Sequence, residues 1–254
     1  MELLFNDSLA KNYHSECQKI RVMSENWIQN NVYCVKCGNK LIHFENNKPV
    51  GDFYCSECRE EFELKSSKTK LGKQIVDGAY KTMIEKIDNG TVPNFFYLNY
   101  ALIDYKINNL IIIPKHYFTK TIIKERPPLP KTAKRAGWIG CNIDVSNIPK
   151  SGMLFIIKDG IEQDKNLIIK NFNKMLFLRK LDNIPKGWLL DTLKCIELLD
   201  KNQFTLAEIY AFESVLKIKH PDNNHIQEKI RQQLQILRDY GYLKFIGQGK
   251  YQLL

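Results

Sequence analysis

No apolar run in this 254-residue chain comes near the roughly 20 residues that cross a bilayer; the longest, residues 110–114, has only the length of a strand. The N-terminus lacks a basic region followed by a long apolar stretch, so no signal peptide and a cytoplasmic setting are expected. Internal repeats and low-complexity tracts are missing, which argues against a solenoid or a disordered tail. Acidic residues are in short supply: 28 Asp and Glu face 38 Lys and Arg, a formal charge of +10. That imbalance, with a pI near 9.1, favours a polyanionic partner. It is uneven. Residues 181–254 hold 10 Lys and Arg against 9 Asp and Glu, so nine of the ten excess charges lie upstream.

Seven cysteines in a cytosolic setting read as metal ligands or buried apolar residues rather than disulfides. Four fall in register: Cys34-Val-Lys-Cys37, followed by Gly38, and Cys55-Ser-Glu-Cys58. Two such pairs let two tight turns each present two thiolates to one tetrahedral Zn²⁺. Four thiolates leave no open coordination position, so this zinc is expected to be structural. Cys17, Cys141 and Cys195 lack such a partner and read as small core residues. His43, between the pairs, reads as a surface or packing residue.

A length of 254 residues suits one large or two unequal domains. Residues 14–30 carry apolar positions at helical spacing (Cys17, Ile20, Val22 or Met23, Trp27, Ile28). The same spacing predicts a helix over 71–88, from Ile75, Ala79, Met83, Ile84 and Ile87, stopped by Asn89 and Gly90. Residues 94–101, 108–113 and 153–158 are rich in aromatic and β-branched side chains and read as strands. A basic, proline-rich loop lies before the last of these, from Lys124 to Lys131 and on through Lys134, Arg135 and Trp138. The fold class is α/β, a mixed sheet flanked by helices with a four-cysteine zinc site, over residues 1–181.

Residues 182–254 change pattern. Helices are expected over 188–199 and 206–216, the second with Thr205 as N-cap and Glu208 completing a capping box. Asn223 or Asn224 caps a third, with Ile226, Ile230, Leu234 and Leu237 on one face and Gly241 at its end. Two short strands around Gly247 and Gly249 complete the pattern of a winged helix, whose third helix enters the major groove. The competing reading is a helical protein-interaction domain that ends in a hairpin. Asn223, Asn224, His225, Gln227, Glu228, Lys229, Arg231 and Gln232 are candidates to face DNA there; Asn, Gln and Arg reach base edges bidentately.

The segment from Pro49 through Asp52, Cys55, Cys58 and Glu63 to Lys65 carries the chemistry. If its flanks are antiparallel strands joined by the second cysteine pair, Phe53 opposes Phe62 and Asp52 opposes Glu63. Asp52, Glu63 and Lys65 then share one face, and Phe53, Phe62 and Leu64 the other. Asp52 and Glu63, with the Leu64 carbonyl, offer hard oxygen ligands to Mg²⁺. Such a cation polarises a phosphodiester and acidifies a water that Lys65 can orient. The arrangement resembles the PD-(D/E)xK nuclease superfamily. Through CVKCG, HFENN, EEFELKS, KRAGWIGCNID and NHIQEKIRQQLQILRD the chain more closely resembles the methyl-directed type II restriction endonucleases of the DpnI family.

One departure is that Gly51, not proline, precedes Asp52, with Pro49 three residues before the acid. The resemblance implies double-strand cleavage of GATC whose adenine carries an exocyclic-amine methyl, with both domains reading the methylated sequence. It puts Asp52, Glu63 and Lys65 on the catalytic motif and the four paired cysteines on the zinc site. Trp138, following Lys134 and Arg135, is expected to sense the methyl group, or else to plug the core at a strand start. The protein is expected to be a monomer. Two other readings are a zinc-ribbon and winged-helix DNA-binding regulator without catalysis, and a PD-(D/E)xK nuclease of DNA repair.

Overall fold

In the computed structural model, which describes residues 1–45 and 51–254, contacts divide the chain into two units. Pro49 lies outside the described residues. The first unit is Met1–Val145 with Ser151–Leu176, and the second is Ser146–Lys150 with Phe177–Leu254. Residues 146–150 group with the second unit because Lys194 donates to the Ser146 carbonyl and the Lys150 N–H donates to Glu197. Among the described residues, no helix is long and apolar enough to cross a membrane.

Along the first unit run α1 (Glu16–Asn31), β1 (Ile42–His43), β2 (Phe53–Tyr54), β3 (Glu61–Ser67), β4 (Gln74–Ala79), α2 (Tyr80–Asp88), β5 (Asn94–Tyr100) and β6 (Ile107–Ile113). After them come β7 (Ile123–Glu125), β8 (Gly140–Asp144), β9 (Leu154–Lys158), β10 (Ile161–Glu162) and α3 (Lys165–Lys174). A mixed sheet has the order β1-β2-β3-β5-β6-β9-β10, with β3 and β5 parallel and the other pairs antiparallel. Every residue of β5 is buried, as a strand covered on both faces requires. Phe96 and Leu98 join a core with Trp27 and Ile28 of α1 and Ile168 and Phe172 of α3. Phe95, one residue before Phe96 and so on the opposite face, packs its ring against Phe118 instead, 5.0 Å away.

The helix expected over 71–88 is half strand. β4 pairs with β8, and β8 with β7, in a second, three-stranded antiparallel sheet. Ile75 opposite Ile143 satisfies the apolar spacing as well as a helix would. The β-branched Ile75 and Val76 followed by Gly78 disfavour the first helical turns. Asn89 caps α2 and Gly90 takes a φ of +66°, so the predicted stop stands. Cys141 and Cys195 are buried as expected, but Cys17 is exposed on α1.

The second unit comprises α4 (Asn183–Leu198), β11 (Gln203–Thr205), α5 (Leu206–Tyr210), α6 (Glu213–Lys219), α7 (Ile226–Asp239), β12 (Leu243–Gly247) and β13 (Lys250–Leu253). Its sheet has the order β11-β13-β12. The capping box of Thr205 and Glu208 forms, yet the helix it opens breaks after Tyr210 and restarts as α6. β11 was not anticipated, since three residues hold no periodicity and its partner β13 is distant in sequence. Neither asparagine caps α7. His225 occupies that position, while Asn223 Oδ1 accepts from the His225 N–H at 2.7 Å and Asn224 Oδ1 from Lys217 Nζ at 3.0 Å. Ile226, Ile230, Leu234 and Leu237 of α7 are buried.

Candidate active site and cysteine cluster

The two cysteine pairs close in the same way. The Gly38 N–H donates to the Cys34 carbonyl at 2.7 Å, and the Arg59 N–H to the Cys55 carbonyl at 2.9 Å. Each donor sits in the left-handed region, Gly38 at φ +80° without strain and Arg59 at +59° at a cost of roughly 1–3 kcal/mol. The turns bring all four sulfurs within 4.8 Å of one another. Burial pushes the Cys34 thiol up and Cys58 to about 11. Burial acts on Cys37 too, but hydrogen bonds from Asn39 and Cys55 outweigh it and hold that thiol near 7. Four sulfurs this close become thiolates together only around a cation, so the cluster fits a metal ion ligated wholly by sulfur. His43 is not part of it; its Nε2 meets Glu25 Oε2 at 3.1 Å and its ring stands edge-on to Phe53.

The second pair is also the turn between β2 and β3. Phe53 opposes Phe62 and Tyr54 opposes Glu61, with both phenylalanines fully buried, which is the register anticipated. Past Phe53 the hairpin parts. The Asp52 N–H still donates to the Phe62 carbonyl at 2.8 Å, while its carboxylate Oδ2 accepts from the Leu64 N–H at 2.7 Å. β5 covers the opposite edge of β3. A strand residue directs its N–H and C=O to the same side, so the Leu64 carbonyl opens on the edge that Asp52 occupies. Gly51 explains the departure from the superfamily pattern. Its φ of +66° is closed to proline, and a Cβ there would stand 3.1 Å from the Phe62 carbonyl oxygen.

Glu63 Oε1 and Lys65 Nζ, two residues apart on β3, meet at 2.6 Å. The Asp52 carboxylate is held at the strand edge by the Leu64 N–H rather than on the face shared with Glu63 and Lys65 that alternation predicted. Lys65 Nζ also meets Asp77 Oδ1 of β4 at 2.7 Å. Sequence reasoning missed Asp77 because its segment was read as helix; the Gly78 after it was the one available signal. Burial raises Asp52 above the usual carboxylate range despite the Leu64 N–H, and it raises Glu63 despite Lys65. Burial would lower Lys65, but Glu63 and Asp77 outweigh it and hold the ammonium above its ordinary value. A cleft of about 770 Å³ opens beside Asp52, lined by Arg21, Glu25, Leu64, Ser66 and Tyr100 among others.

Residues 1–181 of the chain match the DpnI, Dam-replacing family. The chain belongs to this family. Residues 185–253 match the Dam-replacing HTH domain that accompanies it, so α4 to α7 and their sheet form a DNA-binding helix-turn-helix unit. DpnI-family membership implies a methylation-dependent restriction endonuclease, a nuclease whose partner is DNA.

The remaining candidates lie at two places in this DpnI-family chain. Lys134 and Arg135 are exposed on the extension between β7 and β8, closed by the Leu129 N–H donating to the Trp138 carbonyl at 2.9 Å. Trp138 does not plug the core. It is half-buried, with the Arg135 guanidinium 4.8 Å from its ring and Gly140 beneath it, where a Cβ would come within 2.8 Å of the indole. In the second unit, His225, Glu228, Arg231 and Gln232 are exposed, with Arg231 paired to Glu228 at 3.5 Å. Gln227 instead donates to Glu213 at 2.8 Å, and Lys229 is half-buried with its Nζ 5.9 Å from the Trp188 ring.

Proposed function

We propose that this protein makes Mg²⁺-dependent double-strand cuts, as a type II restriction endonuclease, in GATC DNA whose adenines carry an exocyclic-amine methyl. The observation that carries the nuclease reading is β3 itself, where the Asp52 carboxylate sits on the Leu64 N–H at the strand edge and Glu63 pairs with Lys65 on either side of that residue. Those oxygens suit a small hard cation, whose charge would offset the burial that raises both carboxylates. Asp52, Glu63 and the Leu64 carbonyl would hold Mg²⁺, which would supply Lewis-acid chemistry at the phosphodiester and at a bound water. Lys65 keeps its ammonium charged and directs a donor at the phosphate or the water.

Cys34, Cys37, Cys55 and Cys58 hold a structural Zn²⁺ that pins the hairpin bearing Asp52 and Glu63. Residues 1–181 act as the nuclease module and residues 182–254 as a winged-helix reader, the whole as a monomer. His225, Arg231 and Gln232 lead among the α7 residues that face DNA, while Asn223, Asn224 and Lys229 are braced within the unit and shape that face. Lys134 and Arg135 take phosphates. Trp138 offers its half-exposed indole to the methyl group. The GATC and adenine-methyl specificity rests on membership of the family and on the resemblance in the blocks quoted above.

Cleavage of fully methylated, hemimethylated and unmethylated GATC duplexes, with Mg²⁺ and with a chelator, tests the proposal. Cutting is expected with Mg²⁺ and methylation together. Equal cutting of methylated and unmethylated DNA rejects the specificity. Normal turnover in Asp52→Ala, Glu63→Ala and Lys65→Ala rejects the site.

A further inference from the structure

We propose that Asp77 is a positioning residue for Lys65, its carboxylate fixing the direction of the donor that the lysine presents to the reacting phosphate or water. This rests on the reading that Lys65 serves cleavage. An ammonium has three N–H donors and no acceptor. Lys65 Nζ lies 2.6 Å from Glu63 Oε1 and 2.7 Å from Asp77 Oδ1, so two donors are anchored and the direction of the third is set. With Glu63 alone, the ammonium would turn about one contact and its other two donors would sweep a cone.

The fold builds the second anchor deliberately into another sheet. Asp77 lies on β4, which pairs with β8, whereas Glu63 and Lys65 lie on β3. Ile75, two residues earlier and on the same face of β4, is buried and anchors that face. The pairing then slips between Asp77 opposite Cys141 and Ala79 opposite Gly140, a bulge of the kind that re-aims a side chain beside a site. The Asp77 side chain is only 5% exposed, and a carboxylate so enclosed is costly unless paired. Glu63 and Asp77 are not equivalent anchors. Glu63 has a second duty as a cation ligand, whereas holding Lys65 is the role that Asp77's placement serves.

The test compares the full-length wild type with Asp77→Asn, Asp77→Glu, Lys65→Ala and the double variant Lys65→Ala/Asp77→Asn. Single-turnover cleavage of methylated GATC duplex is measured with enzyme in excess, and duplex binding is measured with Ca²⁺ replacing Mg²⁺. Asp77→Asn is expected to slow cleavage by about 10–100-fold, the usual penalty for losing an outer partner of a site, with duplex affinity unchanged. Asp77→Glu recovers part of the rate. In the Lys65→Ala background, Asp77→Asn adds little further loss, because the two residues act as one unit. Near-normal cleavage by Asp77→Asn overturns the proposal, and so does a full, additive loss in the Lys65→Ala background, which would make Asp77 act directly. Near-normal cleavage by Lys65→Ala removes the underlying assignment instead, so the two failures are distinct. Should Asp77→Asn melt early, Asp77→Ser carries the same comparison.

Discussion

Gly51→Ala and Gly51→Pro test whether the approach to Asp52 needs the backbone that only glycine adopts freely. At φ +66°, an L side chain costs about 1–2 kcal/mol. The added Cβ would also stand 3.1 Å from the Phe62 carbonyl oxygen, the acceptor of the Asp52 N–H. Displacing that oxygen weakens a hydrogen bond worth about 1 kcal/mol net. Together these give roughly 2–3 kcal/mol for alanine, or about 4–12 °C in Tm for a unit of this size. Proline cannot reach positive φ at all, so its cost exceeds about 3 kcal/mol unless the approach is rebuilt. Asparagine, which tolerates this region best among non-glycine residues, loses least. Cleavage should fall in the same order, since a displacement of about 1 Å in a ligand-bearing side chain can cost about 10²-fold. Thermal denaturation and single-turnover cleavage of the series Gly51→Asn, Gly51→Ala and Gly51→Pro measure both. A proline variant with wild-type Tm and rate would refute the argument, and with it the account of why this chain departs from the superfamily pattern.

Three further outcomes follow from other parts of the molecule. Cys55→Ser, or strong chelation, should disorder the hairpin carrying Asp52 and Glu63, because a structural zinc can contribute on the order of 10 kcal/mol to folding; less than one zinc per chain in active protein, by elemental analysis, contradicts this. Trp138→Ala should narrow the preference for methylated over unmethylated duplex, where one methyl in an apolar site is worth about 10–200-fold; unchanged discrimination in the folded variant removes the indole from methyl sensing. Burial opposes ionisation of Asp191, but His220 and Lys219 outweigh it and hold its carboxyl below the ordinary value. A depressed folded pKa contributes stability that is present above the unfolded value and lost as pH falls through the folded one. Hydrogen-exchange protection in α4 and α6, taken relative to the intrinsic exchange rate at each pH, should therefore fall at acid pH in the wild type and show a flatter dependence in Asp191→Asn, and identical profiles would dismiss the pair.

What could be read along the chain was whatever is local. The cysteine turn, with its fixed span and alternating phenylalanines on either side, determined the β2–β3 register to the residue, and with it the neighbourhood of Glu63 and Lys65. Asp52 was expected on the face of Glu63 and Lys65, but alternation says nothing once a hairpin parts, and the Leu64 N–H that captures its carboxylate belongs to the partner strand. Asp77 lay beyond such reasoning. Ile75, Ala79, Met83 and Ile87 recur every four residues whether the first half is helix or strand, and only pairing with β8, more than sixty positions on, decides between them. β11 is the same case in the second unit, since three residues become a strand only through Phe204 meeting Tyr251. The asparagines before α7 failed as caps because Lys217, from another helix, competes for Asn224 while Asn223 turns to the His225 N–H. A site assembled from one local hairpin and one distant strand is thus legible in its hairpin alone. The residue that arrives from elsewhere is also the one whose removal should leave the motif intact and still slow the reaction.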